Sequence, residues 1–321
     1  MKFAFAAVPI ELLLSVSLAA FSLPLLHGEA HCPGNIASLP FHLVRRYQII
    51  VPVVINHTGP YEFLVDTGTR FTIVDPLLAT ELHLKTQGPI GVDGVGFSTH
   101  ASFAHLDSLE AGSHSIANHP VVVEDLKPFR TADLHFRGSI GGDFLRHFDV
   151  LMDYTHRMLC LDDTNVMQAA VKGSHIALVK PPQTPDEAPL TTLLIVPVHL
   201  SGFAGRRLLL ALDSGTNAPV LFKHGVYLAP GSLKVGHSDG YSTDGVKREF
   251  SILTPQSVEI GSLNIPQVSF AVPVEPEENA LMSTEDGLLA TVLFRRLFIS
   301  YAGRFVVLDP WDGADPWEGG P

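Results

Sequence analysis

The feature that most restricts the possible folds is an internal repeat. "IIVPVVINHTGPYEFLVDTGTRFTIVD", beginning at Ile49, is answered by "LIVPVHLSGFAGRRLLLALDSGTNAPVLF", beginning at Leu194, and both read strand, turn, strand, acid. Asp66 and Asp213 close the second strand of each copy and lie 147 positions apart. Further along, "GSIGGDFLRHFDVLMDYTHRMLCLD" from Gly138 is matched by "GLLATVLFRRLFISYAGRFVVLD" from Gly287. Within that match Tyr154 and Tyr301, Arg157 and Arg304, and Asp162 and Asp309 keep the spacing of 147. A chain that repeats its order of parts builds two similar units. Runs of Val, Ile and Leu bounded by Gly, Pro, Asn and Asp, with hairpin connections at "HTGP" and "SGFAG", make each unit β-rich. One short helix per unit is predicted near "DFLRHF" and "VLFRRLF", which would carry Arg146, Arg295 and Arg296 as solvated or paired surface groups.

The expected fold class is therefore all-β, mainly strands with short helices, in two homologous lobes related by a pseudo-twofold axis with the site in the cleft between them. The boundaries read as residues 38–165 for the first lobe, 166–190 for a linker, 191–312 for the second lobe and 313–321 for a tail. Within the linker, "VKPPQTPDEAPL" at 179–190 carries four prolines and no regular period. Two complete lobes in one chain make a monomer the expected state.

Residues 1–30 read as an export signal or an N-terminal anchor, with Lys2 ahead of an apolar stretch densest from Leu12 to Leu26. The expected location is periplasmic or extracellular, with contact to the membrane only if that segment stays uncleaved. No later stretch reaches the roughly 20 apolar residues of a membrane-spanning helix. No long inhibitory prosegment is evident between Ala30 and the first strand, near Phe41. Cys32 and Cys160 are the two cysteines, and the sequence leaves open whether they pair or stay free.

A formal charge of -12 without a cluster of Lys and Arg argues against nucleic acid as a partner. The 16 histidines, His105, His114 and His119 among them, show no His-Glu-x-x-His spacing and no tight ligand cluster, so no metal is expected. Gly236-His237-Ser238-Asp239-Gly240 fits the Gly-x-Ser-x-Gly spacing, but it falls within a segment read as a hairpin and not at a strand-to-helix elbow, which disfavours a Ser-His-Asp hydrolase. Paired acids also serve glycosidases, but those carboxylates rarely come from duplicated Asp-containing turns.

What remains is why an acid stands at the end of each apolar strand. Asp-Thr-Gly at 66–68 is followed by Thr69, and Asp-Ser-Gly at 213–215 by Thr216. These triplets resemble the signatures of aspartic peptidases, and residues 40–312 are similar to bacterial retropepsin-like proteins in a two-lobed, single-chain form akin in plan to pepsin. The resemblance implies an endopeptidase with Asp66 and Asp213 as its two catalytic acids, one from each lobe, and with no cofactor or metal. Two close carboxylates cannot both ionise cheaply, so they share a proton, activate a water between them and protonate the scissile carbonyl.

By the same resemblance Thr67 and Ser214 reach across to the opposite lobe, and Thr69 and Thr216 are expected to donate to the outer carboxylate oxygens. Gly68 and Gly215 let the backbone approach closely and donate N–H bonds to the acids. Such donors favour ionisation, which predicts an acidic pH optimum. A hydrophobic segment ending in Gly packs beside each triplet in the family. Here Ile140 and Gly141 supply it in the first lobe, while Ala290 replaces the glycine in the second; Gly138, Gly141 and Gly142 read as structural. Were positive φ needed at 290, Ala would fit poorly. That departure, together with flaps whose length and order the sequence does not give, sustains the alternative of a peptide-binding pseudoprotease with little or no turnover. The partner in either case is an extended peptide, covered by hairpin flaps at residues 88–103 and 235–250, the second of which carries Tyr241.

Overall fold

Each acid-bearing strand ends up in the middle of a sheet, because the apolar runs before Asp66 and Asp213 can be buried only with neighbours on both sides. Thr58–Val65 pairs antiparallel with Gln48–Ile55 and parallel with Gly138–Ile140. Arg207–Asp213 pairs in the same two senses with Ile195–Leu200 and Gly287–Ala290. Strands flanked on both edges and covered on both faces read as continuous apolar runs, which is how "FLV" and "LLLAL" read. The computed structural model describes residues 32–34, 36–94, 97–126, 135–180, 193–203, 205–222, 234–241, 247–274 and 285–311. The segment read as an export signal or anchor, most of the proline-rich stretch, the tips of the two hairpins and the tail lie outside the described residues.

The chain is mainly β with short helices. An eight-stranded sheet belongs to the first half of the chain and a nine-stranded sheet to the second. In the first, Ile73–Val74 follows Gly138–Ile140, and His114–Val123 follows in turn; in the second, Val220–Leu221 and Ala271–Pro273 take those places. Both expected flap segments are antiparallel hairpins, Gln87–Gly94 with Phe97–Ala111 and Lys234–Tyr241 with Lys247–Leu253.

A third, six-stranded sheet draws on both halves. At its centre Asp149–Asp153 lies antiparallel to Phe294–Ser300 with Leu151 opposite Phe298, so the pair at the middle carries the same 147-residue offset as the two acids. Met158–Asp162 and Ser38–Pro40 extend it on one side, Phe305–Pro310 and Ile176–Ala177 on the other. Ile176–Ala177 and the helix Val166–Ala170 fall inside the stretch read as linker, so ordered structure takes up its first half.

The helix expectation holds in one copy only. Gly142–Leu145 is helical, but the matching segment makes a single 3-10 turn, Thr291–Leu293, and "FRRLF" belongs to the strand Phe294–Ser300. Pairing along that strand with partners on both edges outweighs a local preference for helix. Arg295 therefore pairs with Asp309 at 2.9 Å and Arg296 with the buried Asp153 at 3.1 Å, from a strand and not from a helix surface. Cys32 and Cys160 form a disulfide, joining the start of the described chain to the strand Met158–Asp162. Among the described residues no helix is long and apolar enough to cross a membrane.

Candidate active site

The two acid-bearing turns are seated on each other. Thr67 Oγ1 donates to the Leu212 carbonyl at 2.9 Å, and Ser214 Oγ donates to the Val65 carbonyl at 2.7 Å. The same hydroxyls accept in return: Ser214 N–H reaches Thr67 Oγ1 and Thr67 N–H reaches Ser214 Oγ, both at 3.1 Å. Four buried bonds thus tie the two turns together, two of them directly between residues 67 and 214, and each costs a buried unpaired group if broken. The glycines explain how close the turns come. A Cβ on Gly68 would stand 2.5 Å from Asp213 Cγ, and one on Gly215 would stand 2.9 Å from Asp66 Oδ2. Each glycine is required by the other half's acid.

This seating brings Asp66 and Asp213 into side-chain hydrogen-bond contact. Asp213 is 8% exposed and Asp66 is half-buried. Gly68 N–H donates to Asp66 Oδ1 at 2.9 Å and Gly215 N–H to Asp213 Oδ1 at 2.7 Å, with the backbone N–H groups of Thr69 and Thr216 adding to the respective acids. Both pKa values nonetheless rise. Burial is the main cause for each, and for Asp213 the Asp66 charge comes next, so that its carboxyl is pushed up to about 8. The expectation that the donors would lower the pair is overturned, since desolvation outweighs them. The hydroxyls of Thr69 and Thr216 are also not where they were expected. They donate to the Phe71 and Ala218 carbonyls within their own turns.

Ala290 takes an ordinary extended conformation, φ -62° and ψ 125°, fully buried beside Asp213 in the parallel ladder. Its counterpart Gly141 has φ -99°, so no left-handed backbone is needed at either position. Gly141 is glycine for another reason: a Cβ there would lie 2.5 Å from the backbone of Phe71. The second half has room for one methyl at this place.

Several buried residues near the acids were not singled out from the sequence as part of the site. Asp143, 7% exposed, accepts on Oδ1 from Thr72 N–H, Thr72 Oγ1 and Phe144 N–H at 2.8–2.9 Å, and its Oδ2 lies 3.4 Å from His119 Nε2. Gly142 N–H and Asp143 N–H donate to the Thr69 and Arg70 carbonyls, so this cluster grips the segment that follows Asp66. By register the second half has Pro219, Val268 and Val292 at these positions, an apolar version of the same corner. Tyr154 shares a buried hydrogen bond with Thr291 at 2.7 Å, whereas Tyr301 OH is buried without a partner among the described residues. The position matching Thr291 in the first half is Gly142, which has no hydroxyl to offer. Among the described residues no group of His, Cys, Asp and Glu could hold a metal.

Residues 51–144 match a family model described as Aspartyl protease. Among solved structures, the chain is similar to a retropepsin-like aspartic protease from Rickettsia conorii, at 18% identity over 39% of this chain and 90% of that one, with a TM-score of 0.30. No curated protein matches the chain. The matched stretch takes in the strand and turn that carry Asp66 and runs through Phe144, while Asp213 lies outside it.

Proposed function

We propose that the protein is an aspartic endopeptidase in which Asp66 and Asp213, one from each half, hold and activate a water for attack on a peptide bond. The observation that carries this reading is the mutual seating of the two turns, which puts two carboxyls in contact in a setting that favours one shared proton. The ionised member takes the proton of the water and the protonated member donates to the carbonyl oxygen; the backbone donors at 68, 69, 215 and 216 keep both groups oriented. The halves act as lobes related by a pseudo-twofold axis, a reading supported by the shared offset of 147 at the acids and at Leu151 and Phe298. The two hairpins are the flaps over an extended peptide.

On this reading the chain works as a monomer outside the cytoplasm, with residues 1–30 as signal or anchor. The disulfide supports that location, since such bonds persist in oxidising compartments. Ala290 lends the pseudoprotease alternative no support, because it needs no special backbone.

The test is hydrolysis of a mixed, unstructured peptide library from pH 3 to 9 by the purified chain, with Asp66→Asn as control. Cleavage within peptides that disappears in the variant is the expected result. Cleavage that persists in the variant, or a folded wild-type chain that cleaves nothing, would reject the proposal.

A further inference from the structure

The hairpin ahead of the first acid-bearing strand turns through an unusual pair of residues. His42–Val44 and Gln48–Ile55 are joined by Arg45, Arg46 and Tyr47, and the turn closes with Tyr47 N–H donating to the Val44 carbonyl at 3.2 Å. Arg45 and Arg46 both stand in the left-handed region, at φ 48° and 71°. Two successive left-handed residues favour Asn-Gly, because side chains with a Cβ meet steric cost there. Such an outlier persists where the surroundings or a function demand those side chains.

Register fixes where this tip lies. Ile50 is opposite Leu64 in the antiparallel ladder, so its continuation sets Gln48 level with Asp66. Arg45, Arg46 and Tyr47 then run past the end of the sheet at which the carboxyl pair stands. Arg45 and Arg46 are exposed and Tyr47 is half-buried. Burial raises the pKa of the Tyr47 phenol; the Arg45 side chain opposes this through a hydrogen bond to it, and the Asp213 charge adds to the rise. Tyr47 therefore lies within reach of both the Arg45 side chain and the Asp213 charge. A third cation, Arg70, follows Asp66 by four residues and is half-buried; the matched position in the second half is Asn217.

We propose that Arg45 and Arg46, with Arg70, form a cationic subsite that selects peptides carrying an Asp or Glu side chain near the bond to be cut. A guanidinium matches a carboxylate with two parallel N–H bonds, and an exposed rim gives selectivity that salt weakens. That the ligand is an extended peptide rests on the peptidase reading above.

The experiment uses peptides identical except for Asp or Asn at each of four positions on either side of the cleaved bond. At one position the Asp peptide is cleaved about 10-fold more efficiently at low salt, and the advantage shrinks to about 2-fold at 0.5 M salt. The double variant R45N/R46G removes both charges while installing the preferred turn. It loses the preference and melts a few degrees higher, which excludes loss through unfolding. Binding of the same peptides to Asp66→Asn, read by fluorescence anisotropy, follows the same order. Equal cleavage of Asp and Asn peptides at every position overturns the subsite, as does an acidic preference that R45N/R46G retains. Salt-sensitive binding of acidic peptides that needs Arg45 and Arg46, without cleavage, leaves the subsite standing and rejects the peptidase. Neither binding nor cleavage of any peptide rejects both.

Discussion

Burial costs an ionised carboxylate more than its backbone donors return, and Asp213, with Gly215 and Thr216 donating to it, still titrates near 8. A carboxyl whose folded pKa is raised holds its proton more tightly when folded. Its contribution to stability is complete below the unfolded value of 3.8 and is lost as pH rises through about 8. Asp213→Asn is therefore expected to melt above the wild type at pH 8, with the gap closing toward pH 4, in scanning calorimetry. The same variant should lose activity by about 10³-fold or more, in line with removal of a general acid–base group. The pH–rate profile of the wild type should have its acid limb above 3.8 and its alkaline limb near 8, so activity extends to neutrality. A peak confined to acid would contradict this. The two acids, their glycines and the donors were legible because they repeat. The direction of the pKa shifts was not, since it depends on burial summed over strands distant in sequence. Nor were the Thr69 and Thr216 hydroxyls, which turn back to carbonyls two residues on.

Strands were legible element by element through their apolar runs, whereas the parallel partners of the acid-bearing strands were expected only through the family resemblance. Gly138–Ile140 and Gly287–Ala290 are short and their pairing is set by packing across the sheet. "VLFRRLF" misleads because its spacing suits a helix face, while a ladder on each edge decides the matter. The cluster of Thr72, His119 and Asp143 shows how the halves differ. The apolar corner at Pro219, Val268 and Val292 builds the same turn without polar groups, so the first half carries a polar network the fold does not require everywhere. Thr72→Val keeps the shape but leaves Gly141 N–H and the buried Asp143 short of a partner. Its expected cost is about 1–3 kcal/mol, measured as a lowered denaturant midpoint with unchanged slope. A midpoint equal to the wild type would mean that the corner tolerates either solution.

At the scale of the molecule, the disulfide closes a loop spanning 128 residues. By the chain-entropy argument such a loop contributes about 5 kcal/mol. Cys160→Ser is expected to lower the melting temperature by about 10 °C, and a reductant should do the same to the wild type and nothing to the variant. The pairing was beyond the sequence, which gives no distance between Cys32 and Cys160. The repeated order of strands around each acid was readable from the outset. The segment read as linker was too long, because Ile176–Ala177 contributes only two residues to its sheet and no periodicity marks so short a strand. The crossing of the turns at residues 67 and 214 has a last consequence, for how such a chain can change over generations. A repeated sequence is free to differ wherever each copy serves itself alone, as Thr72 against Pro219 and His119 against Val268 do. Where a glycine in one copy makes space for an acid in the other, a change must suit both partners at once, so neither triplet can be altered without regard to its counterpart.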